Sequence, residues 1–268
     1  MKVAFLGRSL DMASTRYRVV LPAMALNNLG VEITLDCDTL IFGKDKVDPA
    51  LLAKYPKRIY DVCDDNFDCA LRGEEYRKHV AESQAVTCNS DAMRFVIHRK
   101  CNRVATVIPD PFEHEEWEPG WGEGLLWFGH SVNVKDLIRV LPGLPPVKAI
   151  TSGTNRLDSF IEWTPQAVDE GLKSCAVVIL PTGRAVTKSA NRLIESVRAG
   201  RFVVAEPLPA YEEFAEWMWV GDLHQGVKWA LENKDECLRR IKACQAYIRD
   251  KYSPDRIGEM WLKVLKSV

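Results

Sequence analysis

The stretch from Cys175 to Glu206 constrains the fold more than any other. It reads CAVVILP, then TGRAVTKSANRLIESVRAG, then RFVVAE. The first run is apolar and β-branched, which predicts a buried strand. The last is shorter and similar. The segment between them has helical spacing, and Gly200 stands where a helix would stop. Two buried strands joined by a helix make a β-α-β unit, and such a unit belongs in a parallel sheet.

The helix expected here has two unlike faces. At ~100° per residue, Lys188, Asn191, Arg192 and Glu195 fall on one side. Ala190, Leu193, Ile194 and Val197 fall on the other and pack on the sheet. The polar row begins near the helix N-terminus, at the carboxyl end of a buried strand. Open α/β sheets bind ligands at that edge, and helix N-termini favour phosphate. A lysine and an arginine suit a diphosphate, and a carboxylate one turn on suits the hydroxyls of a ribose. An amphipathic surface helix with charge pairing along one face gives the same pattern.

The totals narrow the class. The 268 residues suit one large domain or two small ones, and 47% apolar content supplies a core. With a formal net charge of −1, nothing global draws the chain to nucleic acid or to an anionic membrane. MKVAFLG reads as a first strand and not as a signal peptide. No apolar run approaches the ~20 residues of a membrane span. The eight cysteines show neither CxxC nor zinc spacing. Cys37, Cys63, Cys88 and Cys175 sit in or beside expected strands, where cysteine acts as a small hydrophobe. The five histidines form no metal-binding pattern. The reading is a reduced, soluble, cytoplasmic protein without a built-in metal.

In the first half, strands are expected at Lys2 to Leu6, Val31 to Leu35, Arg58 to Cys63, Ala85 to Cys88 and Val104 to Ile108. A helix is expected from an N-cap near Ser14 to about Asn28, ended by Gly30. The opening β-α-β lacks GxGxxG. Arg8, Arg16 and Arg18 lie near the carboxyl end of the first strand, where they can meet an anion or an acceptor. Strand three runs into Asp64-Asp65-Asn66-Phe67-Asp68. Those acids lie on the ligand-binding edge, and they can also cap a helix expected from about Cys69 to Ala81. Asn89-Ser90-Asp91 caps a further helix, and the basic run at its end meets the helix dipole.

A composition break follows, rich in proline and glycine from Pro109 to Gly124. Past it, strands are expected at Leu125 to Phe128, Val147 to Thr151, Phe160 to Trp163 and finally Trp217 to Val220. Gly129 and His130 join a strand to a helix start, so backbone N–H groups there can face an anion. Asn133 is placed to help. All eight tryptophans lie beyond Glu116 and read as core and interface. The domain reading is 1–110, a linker at 111–123, a second domain at 124–252 and a C-terminal helix at 253–268 able to pack back on the first domain.

VVILPT and KSANRLIESVRAGRFVVAE resemble the donor-binding unit of glycosyltransferases with the GT-B fold, especially the retaining group 1/family 4 class. YRVVLPAMALNNLGVEITL resembles that class's first helix and second strand. LLWFGHSVN and FIEWTPQAVDEGLKSCAVVILP resemble the start and middle of its second domain. The resemblance implies α/β architecture with two Rossmann-like parallel-sheet domains facing each other across a cleft. It implies transfer of a sugar from a nucleotide-diphosphate sugar, a UDP-sugar before others, without a metal. Glu195 matches the glutamate that contacts the donor ribose. Lys188 and Arg192 lie near the phosphate positions, and His130 matches the turn beside the diphosphate. The class carries two glutamates separated by seven residues. The first would fall at Thr187, and no acidic residue stands between Pro181 and Ile194. Retention or inversion therefore stays open. An inverting enzyme needs a general base, for which Asp64 and Asp65 are the candidates. A catalytically weak nucleotide-sugar-binding subunit and a sugar-nucleotide epimerase are the competing readings. The acceptor is unread, a nucleic-acid base being one choice left open, and so is the oligomeric state.

Overall fold

The computed structural model describes every residue except 8, 11, 44–46, 154, 155, 158, 184 and 185. The chain forms two compact units. The first comprises Met1–Glu113, Thr187–Ser189 and Asp250–Val268, and the second His114–Val186 and Ala190–Arg249.

In the first unit the strands are β1 (Lys2–Phe5), β2 (Glu32–Ile33), β3 (Thr39–Phe42), β4 (Lys57–Val62), β5 (Ala85–Cys88) and β6 (Thr106–Val107). They form one sheet in the order β2-β1-β3-β4-β5-β6, and every pairing is parallel. About five strands were expected, and the sheet has six. The strand without a counterpart in the sequence reading is β3. Its TLIF is a short run after the polar Asp36-Cys37-Asp38, too brief for a period-2 signal. Its place in the sheet comes from burial of Leu40, Ile41 and Phe42.

The first crossover starts at Ala13, one residue before Ser14, and its N-cap residue is Met12, whose side chain makes no capping bond. It widens into a π-helical stretch at Arg16–Val20 and runs on as Leu21–Asn28. Pro22 has no N–H to give to the carbonyl of Arg18. The usual ladder is therefore already broken there, and a wide turn costs less. Gly30 closes the helix at φ 81°, a backbone conformation other residues resist. The helix expected from Cys69 starts at Gly73 instead, with Arg72 at its N-cap. Asp64 to Asp68 therefore do not cap it. Ser90 does cap Asp91–Cys101, its Oγ accepting from the Met93 N–H.

The last helix, Pro254–Lys266, belongs to the first unit. Ile257, Trp261, Val264 and Leu265 form its apolar stripe and join a core with Val3, Leu26, Ile41 and Ile59. Gly258 lets it approach the first crossover closely, since a Cβ there would stand 2.8 Å from that of Ala25.

The second unit repeats the architecture with β7 (Leu125–Phe128), β8 (Val147–Thr151), β9 (Ile161–Glu162), β10 (Val177–Leu180), β11 (Phe202–Ala205) and β12 (Trp219–Val220). The order is β12-β11-β10-β7-β8-β9, again all parallel. The Pro/Gly-rich segment beyond His114 is bonded to this unit. N–H groups of Trp117, Gly120, Gly122 and Glu123 donate to carbonyls of Arg198, Gly200, Cys175 and Ser174. Gly122 is needed for that approach, because a Cβ there would lie 2.1 Å from the Ser174 oxygen.

An ion-pair network sits in the core of the first unit. Arg18 is 4% exposed. Its Nε and Nη2 donate to the two carboxylate oxygens of Asp61 at 2.8 and 2.6 Å. Its Nη1 donates to Asp110 at 2.9 Å and to the Ile108 carbonyl at 2.6 Å. Burial alone would lower the Arg18 pKa, but Asp61 and Asp110 outweigh it and hold the guanidinium charged. Arg18→Met would leave two buried carboxylates without their cation, at a cost of about 3–5 kcal/mol. Urea unfolding of the variant should show a lower midpoint at unchanged slope.

Candidate functional site

The second sheet has a switch point. From β7 the chain moves outward to β8 and β9, then returns to the other side of β7 as β10. Connections leaving β7 and β10 diverge, and the carboxyl ends of these strands open a crevice. Three features meet that edge: the turn Gly129-His130 after β7, Pro181-Thr182-Gly183 after β10, and the start of the helix Asn191–Arg198.

That helix begins three residues later than the polar row suggested. Lys188 precedes it and is exposed, whereas Asn191 and Arg192 occupy its first turn. Its N-cap residue is Ala190, whose side chain has no group to cap it. The first N–H groups of a helix lack intrahelical partners, so this end favours an anion. Arg192 reaches back over the turn, and its Nη1 donates to the Phe128 carbonyl at 3.3 Å. A Cβ on Gly129 would lie 3.2 Å from the same Nη1 and 3.1 Å from the Trp127 ring. Glycine thus lets the guanidinium lie against the turn. Tyr211 is buried beside Arg192. Burial pushes its phenol up, and the Arg192 charge pulls the other way. The Nδ1 of His130 accepts from the Val132 N–H at 3.2 Å. The neutral ring therefore carries its proton on Nε2, on an exposed side chain able to donate outward.

Glu195 lies one turn on and is 4% exposed. Its Oε2 accepts from the His114 N–H at 3.0 Å. Arg198 donates to the His114 carbonyl and to Glu116. Burial holds its pKa below the ordinary value, although Glu116 and Glu195 pull upward. Glu195 therefore helps anchor the chain entering the second unit, a role its sequence position did not reveal. Sequence reasoning also passed over Glu206, at the end of β11. Glu206 accepts from the Thr182 N–H at 2.8 Å and from both Arg139 Nη atoms. Arg139 is raised above its ordinary value by this bond. The pair fixes the backbone leaving β10. Its signal was an acid directly after a buried strand, in VVAE.

In the first unit, Asp64 and Asp65 are exposed where β4 ends. Asp65 Oδ1 accepts from the Phe67 N–H at 3.4 Å. Arg16 pairs with Glu113 at 2.7 Å. Arg18, expected to meet an anion or an acceptor near the end of the first strand, is instead buried in its ion pair with Asp61 and Asp110, and the π-helical turn carries it inward. Arg8 lies outside the described residues. Asp61, missed in the sequence because it is one acid inside an apolar strand, lines a small cavity of about 30 Å³ with Gly7, Ser14, Arg18 and Gly43. Among the described residues, no three His, Cys, Asp or Glu side chains group as metal ligands, and no helix is long and apolar enough to cross a membrane.

No family model and no curated protein matches the chain. Solved structures do. HepE of Anabaena, solved with UDP-glucose, aligns at TM-score 0.69 and 12% identity over 100% of both chains. Sucrose-phosphate synthase of Thermosynechococcus elongatus aligns at 0.69 and 11% over 99% of this chain and 98% of the other. A mutant of S. aureus TarM, solved with fondaparinux, α-GlcNAc-glycerol and UDP, aligns at 0.63 and 16% over 91% of this chain. The alignment spans 58% of the TarM chain, less than two thirds of its length. The fold is GT-B. Both six-stranded parallel sheets of the GT-B architecture are present in the 268 residues.

Gly129→Ala tests the crevice. The added methyl should displace the Arg192 guanidinium while the strands stay paired, at a cost of roughly 1–3 kcal/mol. Calorimetry should show a lowered melting temperature, with far-UV circular dichroism unchanged.

Proposed function

We propose that the chain transfers a sugar from a nucleoside-diphosphate sugar to an acceptor, with 124–252 as the donor-binding domain and 1–110 as the acceptor side. The observation that carries the reading is the uncapped start of the helix Asn191–Arg198 beside the Gly129 and Arg192 pair, at a topological switch point. When the sugar leaves, negative charge develops on the diphosphate. Arg192, Lys188, the Nε2–H of His130 and the N–H groups at Asn191 are the donors assigned to it. One such donor is worth ~2.7–4 kcal/mol in comparable sites. The proposal gives this neutralisation to the chain's own groups instead of a metal ion. Glu195 is assigned to the ribose hydroxyls. The donor is taken as a UDP-sugar, since HepE was solved with UDP-glucose and TarM with UDP.

Asp64 and Asp65 are assigned to the acceptor. In an inverting reaction one of them takes the acceptor proton; in a retaining one they orient the acceptor. One structural neighbour, an α-glucosyltransferase, was solved with UDP-glucose and DNA containing an abasic site. A nucleic-acid acceptor therefore belongs in the assay beside saccharides. The lack of an acidic residue between Pro181 and Ile194 favours a second reading, a nucleotide-sugar-binding subunit without transfer of its own.

Thermal unfolding with UDP and UDP-glucose, in EDTA, tests the donor site. A ligand at a hundredfold excess over its dissociation constant stabilises by ~2.7 kcal/mol. The shift should appear with the wild type and disappear with Arg192→Ala, and no shift with either ligand rejects the reading. Glu195→Ala should weaken UDP, and affinity unchanged from wild type would remove Glu195 from the ribose site. Asp64→Ala combined with Asp65→Ala should keep the UDP shift and abolish transfer. Slow UDP-glucose hydrolysis by the wild type separates an enzyme from a binding subunit.

A further inference from the structure

A second cationic site lies on the amino edge of the second sheet. Arg201 directly precedes β11, so it stands at the opposite end of that strand from the crevice. It is 7% exposed. Among the described residues its side chain makes no hydrogen bond and no ion pair. The Nε is fully enclosed. Nη1 and Nη2 are not, so the small exposure of the residue includes the tip of its fork. Glu118 and Glu123 lie on the segment that passes it, but both are exposed and neither pairs with it. Burial holds the Arg201 pKa below its ordinary value, and the group that pulls it back up is Cys175. Burial pushes that thiol up to about 11, so it is neutral at pH 7 and supplies no counter-charge.

A guanidinium enclosed to this extent without a counter-charge is costly, and such a group calls for a partner from outside the chain. Gly120 leaves room for one. A Cβ on it would stand 2.9 Å from Nη1, 3.1 Å from Nη2 and 3.3 Å from Cζ of Arg201. It would be nearer both Nη atoms than Cζ, so it would fill the space before the fork. Glycine keeps that space free, and Gly120 itself is partly exposed. Lys148, near the start of β8, is exposed and comes from the other side of Cys175 in the strand order. Its Nζ donates to Ser174 Oγ at 3.0 Å, and its charge, like that of Arg201, acts on Cys175.

The chemistry of the ligand follows from these groups. The fork of Arg201 offers donors only, so the ligand must supply acceptors. A neutral hydroxyl compound would leave the charge of Arg201 uncompensated. An anion with two oxygens on one centre matches the fork and the charge together. Two cations on one edge suit a dianion better than a carboxylate, because each adds to the attraction. We propose that Arg201, with Lys148 beside it, binds a phosphate group, free or as a monoester, at a site separate from the crevice. The proposal stands whether or not the chain transfers sugars.

The test is calorimetric titration of the full chain with inorganic phosphate and with glucose 6-phosphate, and with acetate as the contrasting anion. Phosphate binding is expected, weakened about tenfold or more by Arg201→Met and by Gly120→Ala, the loss of one or two charge-assisted hydrogen bonds. Lys148→Met changes only an exposed side chain and should weaken it less. Arg201→Met removes an unpaired buried charge, so in phosphate-free buffer it should melt no lower than the wild type. Loss of binding in that variant is then not loss of the fold. Arg192→Ala should leave phosphate binding unchanged, which separates this site from the crevice. UDP is titrated separately, so a failed donor site is distinguished from a failed phosphate site. Tighter binding of the sugar phosphate identifies a monoester, and tighter binding of inorganic phosphate identifies the free ion; either upholds the site. Acetate bound as tightly as phosphate overturns the ligand class. No phosphate binding in the millimolar range overturns the site. So does binding that Arg201→Met and Gly120→Ala leave unchanged, or that Arg192→Ala removes.

Discussion

Parallel pairing is the constraint on which the rest depends. Every strand pairing described in both sheets is parallel. A parallel pair cannot be closed by a tight hairpin, so each strand is followed by a crossover. All carboxyl ends of a sheet then lie on one edge, and the loops leaving them are the ones with room for a ligand. Gly129, Thr182, Asn191 and Glu206 come from separated parts of the chain and reach one edge for this reason. The strands between are buried on both faces, which is why β7, β10 and β11 read as unbroken apolar runs.

Within that scheme, a few polar groups fix what apolar packing leaves free. Arg18 ties the first crossover to β4 through Asp61 and to the chain leaving β6 through Asp110 and the Ile108 carbonyl. Thr87 on β5 also donates to Asp61. A packed apolar core would serve stability as well, but an ion pair with bidentate geometry sets one register of helix against sheet. In the second unit Glu195, Arg198 and Gln245 do comparable work on the segment that follows His114. The Gln245 amide donates to the carbonyls of Trp117 and Val197. The polar face of the helix Asn191–Arg198 thus has two ends with different work: Arg192 at the crevice, Arg198 on the backbone.

Long buried strands and well-capped helices were legible. Leu125–Phe128, Val147–Thr151 and Ala85–Cys88 stand where the apolar runs placed them. Ser90 caps the helix that its position announced. The misses share a cause. β3 is four residues long, and its identity as a strand depends on neighbours on both sides. Gly73 starts its helix late because its backbone lies against Phe67, where a Cβ would meet the carbonyl oxygen at 2.2 Å. The inward turn of Arg18 depends on two acids far along the chain, which no local window contains.

The sequence by itself determined the architecture, because hydrophobic period, strand length and helix punctuation are local properties and both sheets are built from them. It also determined which residues could reach a ligand edge, since a strand's carboxyl end is known once its direction is. What only the tertiary structure decided is which polar groups face that edge and which serve the core. Arg18 and Arg192 are both arginines near the starts of crossover helices. One is buried between Asp61 and Asp110, and the other lies over Gly129 at an uncapped helix start. The difference is long-range: a charged side chain enters the interior only where opposite charge has been brought to meet it, and that meeting is made by the fold.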